Sequence, residues 1–220
     1  HSMADTKQLK PYAIKVICPP RKKRKLGHKN LPDLIPSTLS HPNIGQVLYS
    51  SSISAQHDGE DFLLPVIVME LYQFTLNRYI ISERPSLQQR LGIVLQLILV
   101  IDYIHSRGII HYDLKPENIM VHTAGKQVNI CLVDFGLARR IGNPNEKFRH
   151  KSGTPPWMAP EMFRGEEHGL AADLFAVAHL ATAILVCAAN CQDDNCGWCK
   201  RMCLWTGRII SIDYVSNYYW

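Results

Sequence analysis

The pattern of apolar and polar positions changes along the chain from a period of two to a helical period. Residues 12–17 alternate and are rich in β-branched side chains, which predicts a short strand. Residues 44–53 and 63–71 predict two further strands, and the polar segment 54–61 between them predicts a loop. The chain is therefore expected to begin with a small β-rich region.

A helical period begins near residue 86. Ser86 and Gln89 have the spacing of a capping box, in which each side chain accepts a hydrogen bond from the other's backbone N–H. Apolar residues then recur every three or four positions up to Gly108, which predicts a helix with at least one buried face. A second apolar helix is predicted over residues 171–189.

Short strands and loops are predicted between these two helices. Segments 119–122 and 128–133 have β-like composition and flank a predicted turn at Gly125. A long polar loop is predicted over residues 137–151. The pattern as a whole indicates an α+β fold with a β-rich start and a mostly helical remainder.

The composition is that of a globular protein and narrows the classes of partner. The 220 residues are 46% hydrophobic and 20% charged, which argues against wholesale disorder. The net charge of +5 is too weak to make nucleic acid the expected partner. The best apolar stretch, residues 174–189, is shorter than the roughly 20 residues of a membrane span, so no membrane partner is expected. Residues 1–3 look like the remnant of a cleaved tag.

The most informative segment runs from His111 to Asn118 and reads His-Tyr-Asp-Leu-Lys-Pro-Glu-Asn. Asp134-Phe135-Gly136 follows, and residues 153–161 then read Gly-Thr-Pro-Pro-Trp-Met-Ala-Pro-Glu. Phosphoryl transfer requires a carboxylate that accepts a hydroxyl proton, together with oxygen ligands for Mg²⁺. The order and spacing of these segments resemble the catalytic loop and metal-binding turn of eukaryotic protein kinases. This resemblance covers residues 13–173 and implies a protein-kinase-like α+β fold.

The resemblance implies a role for each residue of the catalytic loop. Asp113 is expected to be the catalytic base, and Lys115 is expected to contact the transferring phosphate. Asn118 and Asp134 are the expected Mg²⁺ ligands. Lys115 together with Thr154 indicates specificity for Ser and Thr hydroxyls rather than Tyr. The alternative is that these side chains only preserve the shape of the loop.

The resemblance also implies a nucleotide pocket and two lobes. Lys15 is expected to contact phosphate, Met69 to border the adenine, Leu71 to lie in the hinge, and Met120 to form the pocket floor. Asp173 resembles the buried aspartate that anchors the catalytic loop. It implies three parts of the chain: a tag remnant at 1–3, an incomplete β-rich amino lobe with the hinge at 4–72, and a truncated, mostly helical carboxyl lobe at 73–220.

The departures from the family pattern indicate impaired catalysis. The first glycine is Gly27, so no glycine-rich phosphate cover precedes Lys15 in this sequence. Between Lys15 and His41 the only acid is Asp33, whereas the family pairs this lysine with a glutamate. Tyr112 replaces the arginine of the catalytic loop, and the segment after the second apolar helix is too short for the last helices of the family. Binding of Mg-ATP is therefore expected to be weak or absent.

The C-terminal tail is rich in cysteine and aromatic residues. Zinc binding is not expected, because the spacing is crowded and contains no second Cys-x-x-Cys; the candidate ligands are Cys191, Cys196, Cys199 and Cys203. Six aromatic residues lie between Trp198 and Trp220. We expect them to cover the surface left by the missing helices, and the alternative is that they anchor a partner.

Residues 69–80 resemble the hinge of the eukaryotic initiation factor 2α kinases, and the whole pattern resembles the truncated kinase-like proteins of baculoviruses. The resemblance implies an intracellular, cytoplasmic kinase mimic that binds the amino lobe of a host initiation factor 2α kinase, inhibits it and keeps translation on during infection. The alternative from a different class is a minimal active Ser/Thr protein kinase. Self-association, in which two chains cover each other's cleft, is a third alternative.

Overall fold

The computed structural model describes most of the chain, over residues 11–17, 35–57 and 60–187. The first sheet is antiparallel, with strand order β1-β3-β2. Its strands are β1 (Tyr12–Val16), β2 (Val47–His57) and β3 (Glu60–Glu70). Alternation along β1 places Lys15 opposite Ile67 on the face that lines a cleft. Ile14 and Val68 lie opposite each other on the outer face.

The sequence prediction of the β2–β3 hairpin was partly wrong. Residues 54–57 and 60–61, which were predicted as loop, extend both strands, and Ser54 pairs with Leu63. The backbone N–H and C=O groups of the two paired strands form hydrogen bonds with each other. An exposed sheet also tolerates polar side chains such as Ser54. Local polarity therefore does not end these strands.

The next element is a helix that the sequence analysis missed. β4 (Phe74–Thr75) leads into α1 (Leu76–Glu83), where Thr75 accepts a hydrogen bond from the backbone of Arg78. Leu76, Tyr79 and Ile80 are buried. Their spacing of three and four positions is the helical signal that was overlooked.

The central helix α2 (Leu87–Ser106) confirms its prediction. Ser86 and Gln89 form both bonds of the capping box, and Gly108 adopts a φ of +66° just after the helix. By length and composition alone α2 is able to cross a membrane, which corrects the expectation that no stretch is long enough. One of its faces, which includes Ile93 and Leu97, is fully buried in the protein core.

The remaining elements build the mostly helical region that the sequence predicted. β5 (Ile109–Ile110) pairs with β8 (Arg139–Arg140). β8 lies within residues 137–151, which were predicted as loop. β6 (Ile119–Ala124) and β7 (Gln127–Leu132) form the predicted hairpin around Gly125 and continue the sheet from β4. The later elements are α3 (Pro160–Arg164), α4 (Ala171–Thr182) and a π-helical segment (Ala183–Cys187).

One apolar core joins α1, α2, α4 and the β6–β7 hairpin, with Phe135 among its largest buried side chains. This core is continuous with the catalytic loop through Leu114, which is also buried in it. The expected tag remnant at residues 1–3, the cysteine-rich tail and the last residues of the second predicted helix lie outside the described residues. The described residues contain no group of three or more His, Cys, Asp or Glu side chains placed to hold a metal.

Candidate active site

The catalytic loop is anchored by the buried carboxylate of Asp173 on α4. Asp173 accepts hydrogen bonds from the backbone N–H groups of His111, at 2.8 Å, and Tyr112, at 2.9 Å. The His105 ring at the end of α2 lies 2.9 Å from the same carboxylate. Tyr112 adopts a φ of +64°, a conformation that is costly for a bulky residue and that these bonds help to hold. Asp173 thus fixes the backbone immediately before Asp113.

The side chain of Asp113 lies at the centre of a closed polar network. Its Oδ1 accepts a hydrogen bond from Thr154 Oγ1 at 2.8 Å, and its Oδ2 accepts one from Asn118 Nδ2 at 2.9 Å. Lys115 Nζ lies 2.8 Å from Asp113 Oδ2 and also donates to Thr154 Oγ1 at 2.8 Å. The structure therefore brings together all four residues that the sequence indicated for catalysis.

The charge of Asp113 is set by two opposing effects. Burial by itself would raise the pKa of Asp113. Hydrogen bonds from Lys115 and Thr154, the charge of Lys115 and the Asn118 bond outweigh burial, so the pKa lies below its usual value. Asp113 is therefore ionised at neutral pH, which is the form that can accept a proton from a hydroxyl.

His111 is a buried, neutral residue that contacts the catalytic loop and the residues before the Asp134-Phe135-Gly136 turn. Burial is the largest influence and lowers the pKa of His111. The ring Nδ1 accepts a hydrogen bond from the backbone N–H of Asp113 at 3.3 Å, and Nε2 lies 3.3 Å from the carbonyl oxygen of Val133. The ring also packs edge-on against Phe135, with centroids 4.8 Å apart. This contact ties the catalytic loop to the Asp134-Phe135-Gly136 turn.

The two expected Mg²⁺ ligands are in different states. Asn118 is buried, and its amide nitrogen donates to Asp113, so its amide oxygen is the atom left for a cation. Asp134 Oδ1 already accepts from Lys15 Nζ at 2.7 Å and from the backbone N–H of Gly136 at 3.3 Å. Both ligands are oxygen donors of the kind that Mg²⁺ prefers. They fit the ion by chemistry, and both of these bonds to Asp134 use Oδ1.

A cleft of about 210 Å³ lies between the first sheet and the catalytic loop. It is lined by Lys15, Met69, Asn118 and Asp134, so these four expected nucleotide or metal residues share one site. Its volume lies below the roughly 300–1,000 Å³ of ordinary small-molecule sites.

Two residues expected at the adenine end do not line this cleft within the described chain. Leu71 is 56% exposed and directly follows β3, the central strand of the first sheet. Met120 lies in β6, where it is paired with Thr75 on one side and Cys131 on the other. A motif gives only the order of these residues along the chain, whereas their access to the cleft depends on the tertiary structure.

The surroundings of Tyr112 were not foreseen from the sequence. Its ring lies edge-on to Phe148, His150 and His168, and its hydroxyl lies 3.2 Å from His168 Nδ1. His168 Nε2 lies 2.9 Å from the carbonyl oxygen of His150. The Nε2–H tautomer of His168 satisfies both contacts, with the tyrosine donating to Nδ1. Tyr112 stands where the family pattern has an arginine, and its aromatic cluster contacts the activation segment, residues 134–161.

Comparison with known proteins supports the assignment that these contacts indicate. The family model described as the protein kinase domain matches residues 2–204. Death-associated protein kinase 2 of Homo sapiens is 32% identical over 152 residues, covering 66% of this chain and 40% of that protein. Serine/threonine-protein kinase PLK4 of Drosophila virilis is 31% identical over 156 residues, covering 69% of this chain and 19% of that protein. The chain therefore spans less than half the length of these relatives.

A solved structure shows the same fold. The crystal structure of the yeast RNA Pol II CTD kinase CTDK-1 complex contains a chain that superposes with a TM-score of 0.61 and 21% sequence identity. The superposition covers 80% of this chain and 54% of that chain. The strands, helices and catalytic loop described above are therefore arranged as in a protein kinase, with the α+β fold that the sequence predicted. This chain belongs to the protein kinase domain family.

Proposed function

We propose that this chain is a catalytically impaired kinase mimic, which binds a host initiation factor 2α kinase in the cytoplasm and inhibits it, so that translation continues during viral infection. The observation that carries the impairment is the 2.7 Å ion pair between Lys15 and Asp134. In a working kinase the lysine contacts phosphate and is paired with a glutamate, while the aspartate holds Mg²⁺. Here the two groups that should meet the nucleotide are bonded to each other.

The sequence offers no glutamate to separate this pair. Residues 16–40 contain no glutamate, and Asp33 is their only acid. Mg-nucleotide would meet an Asp134 carboxylate that is already bonded to Lys15 through Oδ1, in a cleft of about 210 Å³. Phosphoryl transfer depends almost wholly on positioning and electrostatics, and one comparable charge contact is worth about 10³–10⁵ in rate. Catalysis by this arrangement is expected to be slower than that of a complete kinase by at least such a factor.

The first sheet supports the proposed binding role. Its outer face exposes a row of apolar side chains on β1, namely Tyr12, Ile14 and Val16, and Tyr49 of β2 extends the row. Within the described residues β1 is paired with β3 and lies at one end of the strand order. An exposed apolar face of this kind is a surface that another kinase lobe can cover. A specific interface of this type buries roughly 1,200–2,000 Å² in total.

A co-purification experiment tests the binding surface. Ile14→Asp places a charge at the most exposed apolar position of the face, where the side chain is 67% exposed. We expect this variant to lose co-purification with the kinase domain of an initiation factor 2α kinase, because binding would bury an unpaired carboxylate. Ile81→Asp on α1 is the matched control, since Ile81 is 51% exposed and lies outside the first sheet. Full binding by Ile14→Asp would contradict the proposed surface.

A minimal active Ser/Thr protein kinase is the second candidate, and the network around Asp113 favours it. Asp113 is ionised and bonded to Thr154, while Lys115 contacts both, as phosphoryl transfer to Ser or Thr hydroxyls requires. Mg-ATP would be held by Lys15, Asn118 and Asp134. When bound, it would supply the γ-phosphoryl group and the cation that neutralises developing charge.

Two measurements separate the candidates. Thermal unfolding with and without Mg-ATP is expected to show no shift, whereas an increase of several degrees would show that the cleft binds nucleotide. Asp113→Asn keeps the shape of the side chain but removes the proton acceptor. If this variant loses the effect on translation and still binds its partner, the chain is an enzyme. If the effect is unchanged, the mimic is supported.

A further inference from the structure

Four aromatic rings connect the middle of the activation segment to the catalytic loop. We call them the His150 cluster, and they are Tyr112, Phe148, His150 and His168. Phe148 and His168 exchange two backbone hydrogen bonds, at 2.9 Å and 3.0 Å. The His150 ring packs against the other three rings, with centroid distances of 5.0 Å to Tyr112, 5.9 Å to Phe148 and 4.7 Å to His168. The cluster therefore joins the catalytic loop, the activation segment and the chain just before α4.

The two histidines of the cluster differ in their hydrogen bonds. His168 uses both ring nitrogens, because Nδ1 meets the Tyr112 hydroxyl and Nε2 meets the carbonyl oxygen of His150. Both ring nitrogens of His150 are buried, and neither has a hydrogen-bond partner within the part of the chain that the structure describes. A protonated His150 ring would bury a second N–H group and a positive charge at the same place, which costs more than burying the neutral ring.

The charges around the His150 ring also oppose its protonation. Burial is the largest influence and lowers the pKa of His150, and repulsion from Arg139 and His168 lowers it further. The nearby acids are bonded to other groups: Glu146 to the backbone of Gly142, Glu167 to Arg149, and Asp173 to the catalytic loop. The other nearby cations are Lys147, which lies over Gly169, and Lys151, which lies over the Phe163 ring. A charged His150 ring would therefore gain hydration and lose repulsion by moving into water.

We infer that the His150 cluster is an acid-sensitive contact, in which protonation of His150 releases residues 142–152 from Tyr112 while the core of the carboxyl lobe stays folded. The open segment takes up the proton first, so the closed arrangement is fully stable above about pH 6.5 and loses stability as the pH falls below that value. Thr154 follows four residues later and bonds to Asp113, so the opening would also loosen the network around Asp113. This inference does not depend on the proposed function.

Hydrogen exchange followed by mass spectrometry of the full chain tests this inference. Peptides from residues 142–152 are compared with peptides from α2, after correction for the effect of pH on the chemical exchange step. One histidine with an ordinary pKa in the open segment increases opening by up to about tenfold between about pH 7.5 and about pH 5.5. We expect an increase of at least about threefold in residues 142–152 and none in α2. His150→Phe keeps a ring but takes up no proton, so it should abolish the increase.

The matched control is His41→Phe, which should keep the increase. Burial also lowers the pKa of His41, but its ring packs on Tyr103, outside the His150 cluster, with centroids 4.8 Å apart. The inference is wrong if the unmodified chain shows a smaller increase, or if His150→Phe retains it. It is also wrong if α2 opens equally, because the whole lobe then unfolds in acid. If His150→Phe does not fold, His150→Gln decides the outcome by the same comparison.

Discussion

The carboxylate of Asp173 is the contact whose loss should be most costly in this structure. It is 1% exposed and lies within 2.9 Å of three nitrogen atoms, from the backbone of His111 and Tyr112 and from the ring of His105. Asp173→Asn keeps the size of the side chain but replaces one acceptor oxygen by an NH₂ group. At least one buried N–H then faces another donor and has no acceptor.

The magnitude follows from these bonds. A buried polar group without a partner costs about 1–3 kcal/mol, and a hydrogen bond to a charged group contributes about 1.5–3 kcal/mol. Since the two terms overlap, we expect Asp173→Asn to lower the free energy of unfolding by about 2–4 kcal/mol. In a chain of this size 1 kcal/mol changes the Tm by about 2–4 °C, so the expected decrease is roughly 5–15 °C.

Urea unfolding followed by circular dichroism measures this loss, with the slope checked to be unchanged. Glu167→Gln is the control, because the Glu167–Arg149 pair at 3.2 Å is largely exposed, and it should change stability by less than about 0.5 kcal/mol. If Asp173→Asn costs less than about 1 kcal/mol, or no more than the control, the carboxylate does not anchor the catalytic loop as argued here.

Three further predictions follow from individual contacts. Ser86→Ala removes one bond of the capping box and should lower the free energy of unfolding by about 1 kcal/mol, measured by urea unfolding; an unchanged midpoint would contradict this. Burial lowers the pKa of His179 below 6.5, so the unfolded chain takes up its proton first, and stability should fall as the pH drops below about 6.5. His179→Gln should flatten that pH dependence, and an identical slope would refute the assignment. Tyr112→Phe removes the bond to His168 and should speed hydrogen exchange in the activation segment, whereas unchanged exchange would show that ring packing alone holds it.

Elements with strong local signals were predictable. The capping box set the start of α2 because Ser86 and Gln89 bond to backbone groups only three positions apart. The motif order placed Asp113, Asn118 and Thr154 in one site, since the spacing of a catalytic loop reflects its folded geometry. The glycine turn at Gly125 was also recoverable, because its φ of +60° favours glycine.

Elements that depend on partners distant in sequence were not predictable. The β2–β3 hairpin extends through polar residues because each strand satisfies the backbone of the other. The assignment of Leu71 and Met120 to the nucleotide pocket stays a prediction from motif position; Leu71 is 56% exposed, and Met120 lies within the β6 strand ladder. A single sequence does not encode such packing in any short window.

The sequence alone determined the family, the fold class and the identity of the catalytic-loop residues, because these depend on residue types at fixed short spacings. Only the tertiary structure decided which charged side chains are paired with each other. Lys15 and Asp134 are 119 positions apart, and only folding brings them to 2.7 Å. Tyr112 likewise meets His168 only when the activation segment folds over the loop. Charge pairing depends on distance in space, so these contacts are visible in the fold and not in the motif.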